Sequence, residues 1–148
     1  MKKANSRGVT TIELLVLLVI VGILAGLIFS THAGIAQKER NTERQRDVGE
    51  LRDDLESYYT QYNKYPTLAQ MNDATWRTAN MKGLDREVMR DPSSTSYELA
   101  ASPAQHIYAY KVTSASGKAC DDVKVVCTQY TLTATLEGGG TYVKTSLD

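Results

Sequence analysis

From Leu14 to Phe29 the chain carries not one charged or strongly polar side chain, and a single carboxylate, Glu13, stands at the entrance of that run. Lys2, Lys3 and Arg7 precede it. A helix that is apolar on every side has to leave water for a bilayer or the centre of a bundle. An acidic residue at the edge of a membrane span must find a partner or lose its charge. Glu13 therefore limits what this chain can become more than any other position, because an ordinary span has no use for it.

With Val9, Ile12 and the threonines added, the run extends from Val9 to about Thr31, long enough for one crossing at about 18 residues or more. The basic start stays on the cytoplasmic side by the positive-inside rule, which places the rest of the chain outside. The residues leave two plainer readings open. A secretory signal peptide would have a basic start and an apolar middle, with Thr31-His32-Ala33 as a weak cleavage site. A simple signal anchor is the other. Against both, Thr10-Thr11-Ile12-Glu13 sets a carboxylate between the basic residues and the apolar middle.

The helix is expected to continue beyond the apolar run. Gln37 to Glu56 holds no proline and one glycine, Gly49, and is crowded with charges of both signs. Arg44–Asp47 and Glu43–Arg46 sit at helix-neighbour spacing, and the first turns of this segment read as a solvated face. From Val48 an apolar stripe appears: Val48, Leu51, Leu55, Tyr58, Tyr59 and Tyr62, at intervals of three and four. One helix from near Val9 to near Tyr62 would be roughly 80 Å long. Tyr65-Pro66 ends it. Thr67-Leu68-Ala69-Gln70 has capping-box spacing and predicts a short helix from Leu68 to about Asn80, with Leu68, Met71, Trp76 and Ala79 inward. The period then changes to two. Tyr108, Tyr110 and Val112 alternate with smaller or polar residues, and Tyr130 to Leu136 alternates with threonines on the outer face. Tyr142-Val143-Lys144 follows a Gly138-Gly139-Gly140 turn. These are antiparallel strands with one buried face. Packing that face on the helix stripe gives an α+β fold.

Charge and side-chain inventory exclude several functions. The 148 residues carry 17 basic and 17 acidic side chains; setting aside Lys2, Lys3 and Arg7 leaves 14 against 17, a net of −3. That is no footprint for nucleic acid, which needs a clustered basic face. Neither His32 nor His106 lies in a motif with a nucleophile, so no enzyme chemistry and no cofactor are expected. Asp121-Asp122 offer two carboxylates where calcium wants roughly six to eight oxygens. The two cysteines, Cys120 and Cys127, are too few for a structural zinc site. In an exported domain they pair as a disulfide closing a short loop, a contribution of roughly 2–3 kcal/mol; in a cytoplasmic domain they would be two free thiols. The tyrosines at 58, 59, 62, 65, 108, 110, 130 and 142 read as core.

Gly8 followed by Val9-Thr10-Thr11-Ile12-Glu13-Leu14-Leu15 and the apolar run to Ala25 resembles the class III signal of type IV pilins and type II secretion pseudopilins. That signal is a basic leader ending in glycine, an aromatic or apolar residue, and a glutamate fifth in the mature chain. The resemblance covers about the first 30 residues closely and the rest loosely. Val9 replaces the commoner phenylalanine, Gly22 matches a glycine that loosens the helix in many pilins, and Ser30 stands where many have a kinking proline. It implies a type IV pilin-like α+β fold in four segments: a leader at 1–8, a transmembrane and filament-core helix at 9–32, its amphipathic continuation at 33–63, and an exported globular domain at 64–148. It also implies that a prepilin peptidase cuts between Gly8 and Val9 and that the new amine of Val9 is methylated. An assembly ATPase and a platform protein would then move subunits from the membrane into a helical homopolymer. Asp91-Pro92 is similar to a calcium-loop sequence of major pseudopilins, but the glycine and aromatic residues around that loop are missing, so no metal is expected.

In a bundle of such helices Glu13 would accept the charged amine of a neighbour's Val9, which lowers the cost of two isolated charges and fixes the axial register. The other reading is a carboxylate that snorkels to the head groups. The function expected first is a structural subunit of a surface filament. The alternative is a pseudopilin of a secretion or DNA-uptake system, and a third reading is a monomeric single-pass membrane protein with an exported binding domain. Localisation follows: the cytoplasmic membrane first, then an extracellular filament.

Overall fold

Helix α1 covers Thr11–Tyr62 in the computed structural model, which describes residues 10–121 and 123–147, without the side chains at 27–33. The chain divides into two compact units, Met1–Lys38 and Glu39–Asp148. In the first, α1 is helical through Ser30. Its apolar residues face outward all round: exposure runs from 47% at Ile20 to 73% at Ile12 across the large side chains between Ile12 and Leu24. Among the described residues no helix is long and apolar enough to cross a membrane. The run expected to do so includes 27–33, whose side chains lie outside that set, as does the leader at 1–8.

In the second unit the stripe read from the sequence is the buried helix face as far as Tyr58, while Tyr59 is half-buried and Tyr62, at the end of the helix, is exposed. Val48, Leu51 and Leu55 are fully buried and Tyr58 nearly so. Each fully buried aliphatic chain of this kind is worth roughly 1.5–3 kcal/mol. The helix stops at Asn63, which takes the left-handed conformation (φ 53°) and donates its N–H to the Tyr59 carbonyl at 2.7 Å. A single bond of that reach satisfies one of the last orphan carbonyls. Tyr65-Pro66 then leads the chain away.

The expected helix from Leu68 to Asn80 is two: α2, Leu68–Asn72, and α3, Ala74–Asn80. Asp73 breaks it. Its extended backbone closes α2, while its carboxylate accepts the N–H groups of Thr75 and Trp76 at the start of α3. The capping box at the other end is formed, with Thr67 and Gln70 exchanging side-chain-to-backbone bonds. Met71 is fully buried and Leu68 and Trp76 pack against the core, but Ala79 is exposed. The new boundary rotates α3 relative to the continuous helix on which the inward face had been laid out. A 3-10 turn at Arg86–Met89 buries Val88 and Met89.

Three antiparallel strands follow in the order β1 (Ala109–Thr113), β2 (Gln129–Thr135), β3 (Thr141–Thr145). Tyr110 faces Leu132 and Val112 faces Tyr130 in the β1–β2 register. Tyr108, Tyr110, Tyr130, Leu132 and Ala134 join Val48, Leu51, Leu55 and Tyr58 in one core. Gly138, Gly139 and Gly140 all have positive φ and make the β2–β3 turn, a path that side chains would strain. Thr133 departs from the expected solvent face: it is buried, 7% exposed. It lies in the central strand between Ala109 and Val143, so neighbours cover it on both sides.

Candidate functional site

The N-terminal segment is built on a local capping arrangement. The Glu13 N–H donates to Thr10 Oγ1 at 3.3 Å, and the Thr10 N–H points back at Glu13 Oε2 at 3.5 Å, a longer contact. This is the reciprocal pattern of a capping box, and it places a carboxylate on the positive end of a 52-residue helix. Glu13 is thus partly satisfied inside its own chain. Thr10 was not singled out in the sequence, although Thr10-x-x-Glu13 has the spacing that flags such a cap. Gly8 and Val9, the expected cleavage and methylation positions, lie outside the described residues.

The second unit holds a charged clamp that the helix pattern did not announce. Arg44, expected on a solvated face, is 1% exposed. Its Nε and Nη2 donate to the two oxygens of Asp91 at 2.7 and 3.0 Å, its Nη1 to Glu137 Oε1 at 2.9 Å and to Asn41 Oδ1 at 2.9 Å, and Nη2 also to Ser93 Oγ at 3.1 Å. Arg40 forks onto Glu137 from the preceding turn at 2.7 and 2.6 Å. Asn41 exchanges two further bonds with the Glu137 backbone. Bidentate pairs of this kind are the strong class of charged hydrogen bond. The Asp91 bond raises the Arg44 pKa further above its usual range, with burial opposing. Arg40 first, and then Arg44, hold the Glu137 carboxyl down to about 2, against desolvation.

Two more carboxylates of the same helix face inward. Asp47, also expected among the solvated turns, is 2% exposed and accepts the Tyr108 hydroxyl at 2.9 Å. Burial raises its pKa, and the Tyr108 bond opposes that. Arg46 pairs with Asp47, Glu50 and Glu43 on the outer side. Glu56 gathers the Tyr65 hydroxyl, the Tyr130 hydroxyl and the Leu147 N–H at 2.9, 2.8 and 3.2 Å. These groups are engaged with one another, an arrangement that ties the helix to the tyrosines and strands packed on it. Asp91, the residue resembling a calcium-loop position, is 2% exposed and taken up by Arg44 and the Ser93 N–H. Among the described residues no group of three or more metal-ligating side chains comes together.

Cys120 and Cys127 form a disulfide. Within the loop it closes, Asp121 Oδ1 accepts the N–H groups of Val123, Lys124 and Val125 at 3.1, 2.8 and 3.0 Å, and these bonds lower its pKa. The Cys127 carbonyl accepts the Tyr65 N–H at 2.8 Å, which fastens the loop beside the end of α1.

No family model matches the chain. No solved structure matches it either. Curated relatives do. The chain is 30% identical over 115 residues to the type II secretion system core protein G of Klebsiella michiganensis, covering 72% of this chain and 80% of that protein. It is 29% identical over 111 residues to the protein of the same name from Pectobacterium carotovorum subsp. carotovorum, covering 69% and 70%. Over a shorter stretch of 74 residues it is 35% identical to that of Aeromonas hydrophila, covering half of each. A long N-terminal helix, a small antiparallel sheet and relatives that match most of the sequence lead to one conclusion: this chain belongs to the type IV pilin and type II secretion pseudopilin family.

Proposed function

We propose that the chain is a pseudopilin: a structural subunit that polymerises through its N-terminal helix into a short filament serving type II secretion. The observation that carries this reading is the ring of exposed apolar side chains from Ile12 to Leu24 behind the carboxylate of Glu13. A surface of that extent on every side of a helix needs other helices or lipid around it. The names of the relatives favour secretion over the surface pilus that the signal alone suggested first. In this reading residues 1–8 are a leader, 9–32 anchor the precursor in the cytoplasmic membrane and later line the filament core, and 33–148 lie outside. A prepilin peptidase cuts between Gly8 and Val9, Val9 is methylated, and an ATPase and platform protein drive self-assembly. Glu13 exchanges its local contact with Thr10 for the Val9 amine of a neighbour.

The test uses Glu13→Leu and Glu13→Gln in cells carrying the matching secretion system. Mass spectrometry first checks that the subunit begins at Val9. Filament recovery and release of secreted protein should then fall at least tenfold with Glu13→Leu and in the same direction with Glu13→Gln. Normal filaments from correctly processed Glu13→Leu would remove Glu13 from the assembly mechanism. Long sheared surface fibres with intact secretion in a strain lacking the chain would return the surface pilus.

A further inference from the structure

Arg44 and Arg77 are both buried cations, 1% and 9% exposed, but their surroundings differ. Arg44 has two carboxylates. Arg77, in the last turn of α3, donates to the Met71 carbonyl and forms no ion pair among the described residues. The acid acting on it is Asp73, whose Oδ1 accepts the Thr75 and Trp76 N–H groups at 2.8 and 3.1 Å. A guanidinium has five donors, and burying its charge without a counter-charge is unfavourable. Burial accordingly lowers the Arg77 pKa, and the positive charge of Arg86 adds to the effect.

Arg77 lines a cavity of about 460 Å3, and two other cations, Lys82 and Arg86, line it too, with Thr78, Met81 and Leu84. Neither Lys82 nor Arg86 makes an ion pair or hydrogen bond among the described residues. The Arg86 guanidinium lies 3.6 Å from the centre of the Tyr97 ring. That stacking holds its position while leaving its edge donors available. Three basic residues thus line one space, from the end of α3, the loop after it and the start of the 3-10 turn, and the Arg86 charge acts on Arg77. No carboxylate lines that space. Like charges so placed repel unless something negative stands between them.

We infer that this cavity binds a small oxyanion of the phosphate–sulfate class, held by Arg77, Lys82 and Arg86. A multi-oxygen anion matches the planar fork of a guanidinium, which chloride does not. Two arginines and a lysine supply enough charge for a dianion. Binding stabilises the folded unit in proportion to the logarithm of ligand concentration.

The single tryptophan of the chain, Trp76, adjoins Arg77 and is a built-in reporter. The full-length chain in non-ionic detergent is titrated with sodium phosphate, sodium sulfate or sodium chloride at matched ionic strength, following Trp76 emission and the thermal midpoint. Phosphate and sulfate should each give a saturating emission change and a rising midpoint, at concentrations at least tenfold below any effect of chloride. The double variant Lys82→Gln/Arg86→Gln alters two exposed side chains and keeps the Arg77 bond to Met71, so it should fold, while its affinity for phosphate and sulfate falls at least tenfold. Arg77→Gln should abolish saturation, and the double variant carries the test should Arg77→Gln fail to fold. Equal responses to all three salts, or a double variant that titrates like the parent, overturn the inference.

Discussion

Arg44 presents two nitrogens to the two oxygens of Asp91 at 2.7 and 3.0 Å, across a gap of 47 residues in sequence. Both side chains are within 2% of complete burial. Such a pair stabilises little against a well-packed apolar replacement, but losing one member strands the other charge. Arg44→Met, which strands Asp91, should therefore cost about 3–5 kcal/mol. Asp91→Leu leaves Arg44 its bond to Glu137 and should cost less, and adding it to Arg44→Met should recover a large part of the loss. Denaturant unfolding of the full-length chain in detergent decides it. Arg44→Met within 1 kcal/mol of the parent would mean that the pair is already hydrated.

Protonation of Glu137 should weaken the fold as pH falls. Its carboxyl is held down to about 2 from an ordinary 4.5, through its bond to Arg40 first. A depressed carboxylate contributes stability that is present above its unfolded pKa and is lost as pH falls through the folded one. The contribution should be intact above pH 4.5 and fade between 4.5 and about 2. Asp47 has the opposite sign, since burial raises its pKa, so protonating it does not add to the loss. Unfolding midpoints measured across this range should fall less steeply for Glu137→Gln than for the parent. Parallel curves would show that Glu137 does not control the acid limb.

The Cys120–Cys127 bridge closes a short loop. Chain entropy for so few residues corresponds to roughly 2–3 kcal/mol. Cys120→Ser/Cys127→Ser should lower stability by about that amount. Because Cys127 is fully buried and its carbonyl holds the Tyr65 N–H, amide exchange should quicken at Tyr65 as well as in the loop. Unchanged exchange at Tyr65 would confine the role of the bridge to the loop itself.

Thr10 separates the two roles of Glu13. Thr10→Val removes the hydroxyl that accepts the Glu13 N–H but keeps the carboxylate. A lost cap costs about 0.5–2 kcal/mol of helix stability, so the first turn should fray, with faster amide exchange at Glu13. Filament recovery should fall far less than with Glu13→Leu. Equal losses would show that Glu13 matters through the cap and not through a neighbouring subunit.

The parts legible in the sequence were those set by near neighbours. Val48, Leu51, Leu55 and Tyr58 announce their face through spacing of three and four, and Thr67 and Gln70 announce a helix start across three residues. Tyr108, Tyr110, Tyr130 and Leu132 announce a sheet face by alternation. Arg44 and Asp47 were misread because a charge on a helix looks solvated until its partner is known. Those partners, Asp91, Glu137 and Tyr108, stand 47, 93 and 61 positions away. Asp73 was missed as a break because an aspartate inside a helical pattern and one that caps the next helix look alike. Thr133 was misplaced because alternation reports faces and not which strand is central.

The separations within the charged clamp also bear on the order in which the fold forms. Closing long loops costs entropy before the contacts repay it, and such contacts slow folding. As the chain emerges from its N-terminus, Arg44 is complete long before Asp91 and longer still before Glu137. The helix therefore lacks one long-range partner of Arg44 until Asp91 is made and the other, Glu137, until the turn after β2. The clamp is thus complete only once the turn after β2 has been made, which ties the closing of the helix face to the last hairpin of the chain.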